Sequence, residues 1–288
     1  MNIQQIPKNA LPEDRQKDYK NCFTSGYEGW SIVGADYSAQ ELAVIATLSK
    51  DPVFLDALDT GKDLHSVCAE LIYGEEWINA AEDTCVYYKK VEGIALNEKC
   101  KCKDHKRLRN NVKKVNFGLA YGLSPKGLAA DLKITLPEAE ELFTKYFITF
   151  PYIRGLLDSF GEYGKTYGYI KTIAPWSRKR YYPYWRGIDT PRGQLGQIER
   201  ASKNMPIQGS SADMCKIALI GLRRWINTEN YRDKVKLYVQ VHDEISTICE
   251  DSIAEIVKAR VTYIMEEAAK ICLGNTLLKA EAEISKLW

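Results

Sequence analysis

The chain has 288 residues, 45% of them apolar, and its 40 Lys and Arg against 38 Asp and Glu give a formal net charge of +2. This size and apolar content predict one large or two closely joined domains with a buried core. The sequence has no run of roughly 18 uninterrupted apolar residues, as a membrane helix needs, and no signal-peptide pattern at its N-terminus. Its eight cysteines do not have the regular spacing of a disulfide framework. These features argue against membrane and secreted proteins and predict a cytoplasmic protein with reduced thiols.

The first predicted elements are a strand followed by helices. The apolar run from Trp30 to Ala35 stops at Asp36, which is typical of a short buried strand with a carboxylate at its exit. Helical periodicity then predicts helices over 41–49, 51–58 and 63–73, and a Cys- and Lys-rich interval follows at about 78–106.

Four side chains recur at intervals of four in the next predicted helix: Arg109, Lys113, Phe117 and Tyr121, with Gly122 as the expected C-terminal cap. At this spacing they share one helix face, with two cations towards its N-terminus and two aromatic rings towards its C-terminus. A nucleotide, with a polyphosphate at one end and a base at the other, matches that gradient. The alternative is a solvated basic face beside aromatic core residues.

A basic cluster, Arg178-Lys179-Arg180, lies in a β-hairpin predicted within 167–185. Such a cluster either contacts phosphate or faces water. The surrounding periodicity is helical, and the helices are predicted over 125–131, 137–147, 151–163, 194–204 and 210–227.

Two aspartates end apolar strands that are predicted to share one sheet. Asp36 follows the first strand, and Asp243 lies with His242 and Glu244 at the tip of a hairpin predicted over 236–248. Two carboxylates held close together repel each other unless a cation lies between them, and hard oxygen ligands favour Mg²⁺ over zinc. The alternative is that Asp36 caps a helix and that Asp243 and Glu244 form a polar turn.

Several motifs occur in a fixed order along nearly the whole chain. They resemble the motifs of the family A DNA polymerases, the DNA polymerase I family. The three signatures are Asp36-Tyr37-Ser38-Ala39-Gln40-Glu41-Leu42, Arg109-x3-Lys113-x3-Phe117-Gly118-x2-Tyr121-Gly122 and Val241-His242-Asp243-Glu244, and further matches are Gly61-Lys62-Asp63-Leu64-His65, Gly168-Tyr169-Ile170-Lys171-Thr172 and 199–213.

The resemblance implies an α+β fold, a right-hand polymerase palm with an antiparallel sheet and helices plus mostly helical fingers. The palm would comprise 1–58 and 199–288, and the fingers 59–198, with an unusual insertion at about 78–106. It implies a DNA-templated DNA polymerase in a bacterial or phage-infected cell, with primer-template DNA and deoxynucleoside triphosphates (dNTPs) as partners.

The same resemblance implies two-metal nucleotidyl transfer. The primer 3′-hydroxyl would attack the α-phosphate of the dNTP and release pyrophosphate. Two Mg²⁺ ions would be held by Asp36 and Asp243, with Glu244 in a secondary role, and Lys113 would donate a proton to the leaving group.

The remaining roles implied by the resemblance concern binding. Arg109 and Lys113 would neutralise phosphates, Phe117 would pack on the sugar and base, and Tyr121 would stack near the template. Phe117, which lacks a hydroxyl group, implies poor use of dideoxynucleotides. The other expected nucleotide contacts are Glu41, in the space of a ribose 2′-hydroxyl, and His65, and the expected DNA contacts are Arg200, Asn204, Gln208, His242, Arg178, Lys179 and Arg180.

Departures from the family pattern lie in the first signature and at the N-terminus. Ala39-Gln40 and Ala43 replace a common Gln-Ile pair and an arginine, so we expect one salt bridge fewer. Residues 1–7 resemble the end of a segment inside the palm, so we expect the thumb and any 3′–5′ exonuclease on a separate polypeptide or a missing segment. The alternative is a catalytically weak or inactive DNA-binding or assembly subunit of a split polymerase.

Four soft ligands lie in or beside the insertion: Cys85, Cys100, Cys102 and His105. They could bind zinc and fix the inserted loop. However, C-x-C-x2-H is not a standard ligand spacing, and the nearby lysines equally suit a DNA-facing loop.

Overall fold

The computed structural model describes residues 22–83, 85, 100, 102–120, 122–173 and 175–288. The predictions made for residues 1–7 and for Tyr121 lie outside these residues. The chain divides into two compact units: Met1–Gln40 with Ser211–Trp288, called unit 1 here, and Glu41–Ser210, called unit 2. The domain boundaries predicted at 58/59 and 198/199 stay predictions.

The described residues form six strands and ten α-helices. The strands are β1 (Trp30–Tyr37), β2 (Tyr169–Lys171), β3 (Lys179–Tyr181), β4 (Val235–Val241), β5 (Glu244–Glu250) and β6 (Ala280–Ser285). The helices are α1 (Gln40–Ser49), α2 (Pro52–Asp59), α3 (Leu64–Tyr73), α4 (Glu75–Asn79), α5 (Lys103–Ala120), α6 (Pro125–Leu132), α7 (Leu136–Thr149), α8 (Pro151–Tyr167), α9 (Arg192–Thr228) and α10 (Ala254–Leu273).

The sheet of unit 1 is antiparallel, with strand order β4-β5-β1-β6. Ile32, Val33 and Ala35 of the central strand β1 are buried, which explains why this apolar run forms a strand in the interior of the sheet. Helix α10 packs on β1 and β6. The Tyr37 hydroxyl donates to the Met265 carbonyl at 2.7 Å, and burial raises the pKa of this phenol well above its usual range.

Unit 2 is mostly helical, and side-chain caps fix where several of its helices begin. Asp51 accepts from the backbone N–H groups at the start of α2, and Asp63 accepts from Ser66 N–H at the start of α3. Thr135 and Glu138 form a reciprocal capping box at α7. The α+β class is therefore confirmed, and no helix among the described residues is long and apolar enough to cross a bilayer.

Helix α9 differs from its prediction. The periodicity predicts two helices, 194–204 and 210–227, and Pro206 lies between them, where a proline removes a backbone donor and normally ends a helix. The structure has one helix through Pro206. Ile198 and Ile207 are fully buried, and the Ser210 hydroxyl donates to the Pro206 carbonyl, so packing and a side-chain hydrogen bond offset the lost backbone bond.

Candidate active site

Three acids of unit 1 meet at one edge of its sheet. Asp36 lies opposite Glu244 in the β1–β5 register, and Asp243 precedes Glu244 in the turn between β4 and β5. That turn has two residues, and His242 adopts a positive φ of 55°, which is uncommon for a residue other than glycine. Asp36 is exposed and Asp243 is half-buried, so both carboxylates are accessible to a ligand.

The Cys215 thiol lies close to both aspartates. Its Sγ donates to the His242 carbonyl at 3.5 Å, and Gln40 Nε2 donates to the Ser211 carbonyl one helical turn earlier. Burial, followed by the charges of Asp243 and Asp36, raises the pKa of Cys215 to about 11. The two negative charges contribute because they disfavour a further negative charge on the thiol.

Two hydrogen-bond donors hold the Glu244 carboxylate in place. Its Oε1 accepts from the Trp288 indole Nε1–H at 2.5 Å and from the Ser246 hydroxyl at 3.1 Å. The Trp288 ring in turn packs edge-on against Phe23, with ring centroids 5.3 Å apart. A Cβ added at Gly34 would lie 3.4 Å from the same Oε1. Glu244 is thus a positioned carboxylate rather than a mobile surface acid.

The predicted stripe lies on α5 in unit 2, as expected. Val112 and Val115 are fully buried and fix one face of the helix, whereas Lys113 is exposed. Lys113 Nζ lies 5.9 Å from the centroid of the half-buried Phe117 ring, so the cation and the ring are neighbours along the helix. The stripe is present up to Phe117, and its fourth member, Tyr121, is outside the described residues.

Arg109 is bound by a carboxylate of unit 2. Its Nε and Nη2 donate to Oδ2 and Oδ1 of Asp63 at 2.7 and 2.6 Å, and the two side chains are only 11% and 10% exposed. Burial acts to raise the pKa of Asp63, but hydrogen bonds from Arg109 and Ser66 outweigh it and lower that pKa to about 2. The two hydrogen bonds and the burial of both side chains hold the guanidinium in one orientation.

His65 is buried beside the same helix. Asn116 Nδ2 donates to its Nδ1 at 3.0 Å, which leaves the imidazole proton on Nε2. The His65 ring lies 5.4 Å from the Phe117 ring. The structure thus groups His65 and Phe117, as the nucleotide-binding prediction requires, while Glu41 is half-buried in the first turn of α1.

Arg200, Asn204 and Gln208 follow one another on a face of α9, because residues four apart are neighbours on a helix. Arg200 is exposed, and its aliphatic stem covers Gly122, where an added Cβ would lie 2.9 Å from Arg200 Cγ. The other two are half-buried. A cleft of about 760 Å³ in unit 2 is lined by Arg200 together with Phe143, Phe147, Arg154, Gly196 and Lys203, among others.

The basic cluster forms the predicted hairpin, with Lys171 opposite Lys179 in the β2–β3 register. Lys179 and Arg180 are exposed, and Lys179 Nζ lies 4.9 Å from the centroid of the Tyr169 ring. Arg178 differs from its neighbours because its Nη2 donates to the Gly209 carbonyl at 3.1 Å. It anchors the hairpin, whereas the other two cations face solvent.

The four soft ligands are brought together. The candidate ligand atoms of Cys85, Cys100, Cys102 and His105 all lie within 4.8 Å of one another, and the four side chains are buried. We call this group the Cys/His cluster.

Sequence reasoning missed the residues that hold these groups in place. The motif that contains Asp63 assigns it no role, and no sequence pattern singles out Asn116, Trp288 or Trp77. Asp63 and Arg109 lie 46 residues apart, and Glu244 and Trp288 lie 44 apart. Of these residues, only Asp63 could have been identified from the sequence as part of the site, because it lies two residues before His65 in the same motif.

Comparison with known proteins defines the class. The model of DNA polymerase family A matches residues 1–288, so the chain belongs to the DNA polymerase A family. The chain is 32% identical to DNA polymerase I of Caldicellulosiruptor bescii over 270 residues, which are 94% of this chain and 28% of that protein. It is 33% identical to DNA polymerase I of Lactococcus lactis subsp. cremoris over 288 residues, all of this chain and 29% of that protein.

A solved structure is also similar: the POL domain of Pol1 from M. smegmatis in complex with DNA primer-template and dNTP. The TM-score is 0.79 at 29% identity, and the match covers 99% of this chain and 44% of that one. The predicted polymerase palm-and-fingers fold is confirmed. The chain spans less than a third of the length of the two curated relatives.

Proposed function

We propose that this chain carries the catalytic centre of a DNA-directed DNA polymerase, which joins a dNTP to a primer 3′-hydroxyl and releases pyrophosphate. Membership of the family supports the reaction class. The observation that carries the proposal is the meeting of Asp36, Asp243 and Glu244 at one sheet edge. Three neighbouring acids repel one another, and the cations of a metal-dependent reaction would offset this repulsion.

The acids fit Mg²⁺ as a cofactor. Asp36 and Asp243 offer accessible carboxylate oxygens, the hard ligands that Mg²⁺ prefers, and both act on the Cys215 thiol as neighbouring charges. Two bound Mg²⁺ ions would activate the attacking hydroxyl and screen the charge of the triphosphate. Glu244, held by Trp288 and Ser246, adds negative charge next to Asp243 and stiffens the turn.

The residues of α5 and its neighbours would bind the dNTP. Arg109 would bind phosphate as a rigid cation, since Asp63 holds its guanidinium in one orientation. Lys113, exposed one turn further along α5, would donate a proton to pyrophosphate. The Nε2–H of His65 would donate to a phosphate oxygen. Phe117 would pack on the sugar and base, and Tyr121 would stack near the template.

We expect Glu41 to occupy the volume of a ribose 2′-hydroxyl and so to select DNA over RNA. We expect Glu41→Ala to raise ribonucleotide incorporation relative to dNTP incorporation. An unchanged ratio would remove Glu41 from this role without affecting the assignment of the acids.

Primer-template DNA would be bound by Arg200, Asn204 and Gln208 on α9, by His242 at the primer terminus, and by the exposed cations Lys179 and Arg180. Arg178 would support them by anchoring the hairpin to Gly209.

Mg²⁺-dependent primer extension tests the proposal, with the protein in the form in which it is isolated from its source. Asp243→Ala should abolish extension. Asp233→Ala, an exposed acid near the opposite end of β4, is the matched control and should retain it. Extension by Asp243→Ala equal to that of the parent would refute the assignment. DNA binding without extension by the parent would favour the inactive assembly subunit instead.

A further inference from the structure

The Cys/His cluster lies at the start of the nucleotide-binding helix α5, outside the acidic site. Cys102 directly precedes the helix, and His105 lies in its first turn, four residues before Arg109. Cys85 follows α4, and residues 86–99 connect it to Cys100. The relative exposures of the four side chains are 1%, 7%, 1% and 1% in sequence order, so solvent does not satisfy their polar atoms.

The spacing of the ligand atoms suits a tetrahedral metal ion. Cys85 Sγ and Cys100 Sγ are 3.6 Å apart, and His105 Nδ1 lies 3.3 Å from Cys100 Sγ and 3.6 Å from Cys85 Sγ. A tetrahedral zinc ion with Zn–S bonds of about 2.3 Å and a Zn–N bond of about 2.0 Å has S···S edges of about 3.8 Å and S···N edges of about 3.5 Å. A disulfide requires sulfurs about 2.0 Å apart.

The imidazole of His105 is oriented as a metal ligand. Its Nε2–H donates to the Trp77 carbonyl at 2.6 Å, so the proton resides on Nε2 and the Nδ1 lone pair faces the sulfurs. Trp77 also stacks on the ring, with centroids 4.1 Å apart and an interplanar angle of 27°. Metal-binding histidines commonly donate their second N–H to a backbone carbonyl in this way.

A backbone hydrogen bond fixes the position of the Cys102 sulfur. The Glu82 backbone N–H donates to its Sγ at 3.3 Å, and the cysteine directly precedes α5. The Glu82 side chain accepts from Lys103 N–H at 2.7 Å, which binds the chain before Cys85 to the first turn of α5. Two segments therefore converge on one group of soft ligands.

We propose that the Cys/His cluster binds one zinc ion that has a structural role. All four tetrahedral positions are supplied by the protein, as in structural rather than catalytic zinc sites. The ion would join Cys85, which follows α4, to the first turn of α5. It would thereby fix the N-terminal end of the helix that carries Arg109, Lys113 and Phe117.

Metal content tests the inference independently of polymerase activity. The chain is purified with zinc and dialysed against a weak chelator, and its zinc and iron are then measured. We expect about one zinc ion per chain in the parent and in Cys22→Ser, which alters an exposed cysteine outside the cluster. The double variant Cys100→Ser/Cys102→Ser should lose it. Parent zinc no higher than in that variant, or iron in place of zinc, would overturn the inference.

A second measurement on the parent chain avoids the risk that the variant does not fold. X-ray absorption at the zinc edge should give three sulfurs at about 2.3 Å and one nitrogen at about 2.0 Å. A shell of oxygen and nitrogen only would show adventitious zinc and contradict the proposal. Recovery of a Cys85–Cys100 disulfide from the purified chain, in place of bound metal, would do the same.

Discussion

The Arg109 guanidinium binds both carboxylate oxygens of Asp63, and this pair of hydrogen bonds joins helix α5 to the start of α3. It uses two of the five N–H donors of arginine. Asp63 also caps α3 by accepting from the Ser66 backbone N–H, so one carboxylate both caps a helix and orients the Arg109 guanidinium. We expect the other guanidinium donors to meet a phosphate group.

Asp63→Asn should destabilise the chain because it leaves a nearly buried guanidinium without its counter-charge. Asparagine is itself a good helix cap, so the loss reports the ion pair. We expect the free energy of unfolding in urea to fall by about 3 kcal/mol. The control, Asp56→Asn, breaks an exposed pair with Lys62 and should change it by less than about 0.5 kcal/mol. Equal effects would contradict the account.

The same pair predicts a pH dependence. Asp63 has a folded pKa of about 2, below its unfolded value of about 3.9, so its ionised form stabilises the folded chain. This contribution, roughly 2.6 kcal/mol, is complete above the unfolded pKa and is lost as the pH falls through the folded one. The stability difference between parent and Asp63→Asn should therefore shrink between about pH 4 and pH 2. A difference constant over that interval would show that the pair is not the cause.

Trp288→Phe should lower kcat about tenfold, since a hydrogen bond to a charged group contributes about 1.5 kcal/mol or more. The ring that packs on Phe23 is retained, and only the N–H bond to Glu244 is lost. The KM for dNTP should stay unchanged in steady-state primer extension. Trp185→Phe, which loses an indole bond to the Lys165 carbonyl, is the control. Equal kcat in both variants would exclude a positioning role for Trp288.

Phe117→Tyr should improve the use of dideoxynucleotides. A phenol hydroxyl beside the sugar could replace the hydrogen bond of the absent 3′-hydroxyl, which Phe117 cannot do. We expect incorporation of a dideoxynucleotide relative to its dNTP to rise about tenfold, the equivalent of one hydrogen bond. Competition between the two substrates in one reaction provides its own control. An unaltered ratio would place Phe117 away from the sugar.

Lys179→Ala/Arg180→Ala should weaken DNA binding with little dependence on sequence. If both exposed cations contact phosphates, the slope of log affinity against log salt should decrease by about two. Lys126→Ala/Lys145→Ala removes two other exposed cations of unit 2 and should leave the slope unchanged. Identical slopes in the two double variants would show that the hairpin lies outside the DNA interface.

Local patterns predicted much of this structure. Strand β1 and its terminal Asp36, the hairpin tip at Asp243 and the helical spacing of Arg109, Lys113 and Phe117 all follow from short-range periodicity, and the structure confirms them as local features. Pro206 shows the limit of such reasoning. Its local preference against a helix is outweighed by the burial of Ile198 and Ile207, which only tertiary packing supplies.

Long-range pairing could not be predicted from spacing. The register that sets Asp36 opposite Glu244 depends on how β1 enters the sheet. The partner of Arg109 could not be inferred either, because several acids were equally plausible before folding. For the cluster of Cys85, Cys100, Cys102 and His105, the sequence supplied the candidate ligands, but their non-standard spacing left the geometry open.

A double-mutant cycle on Asp36 and Asp243 tests the central claim, that these two carboxylates act as one cation-binding unit. Single-turnover incorporation of one dNTP is measured for Asp36→Asn, Asp243→Asn and the double variant, with Asp233→Asn as control. Residues that act as a unit are strongly non-additive, so we expect the double variant to be hardly slower than either single variant. Losses that multiply in the double variant would contradict a shared site.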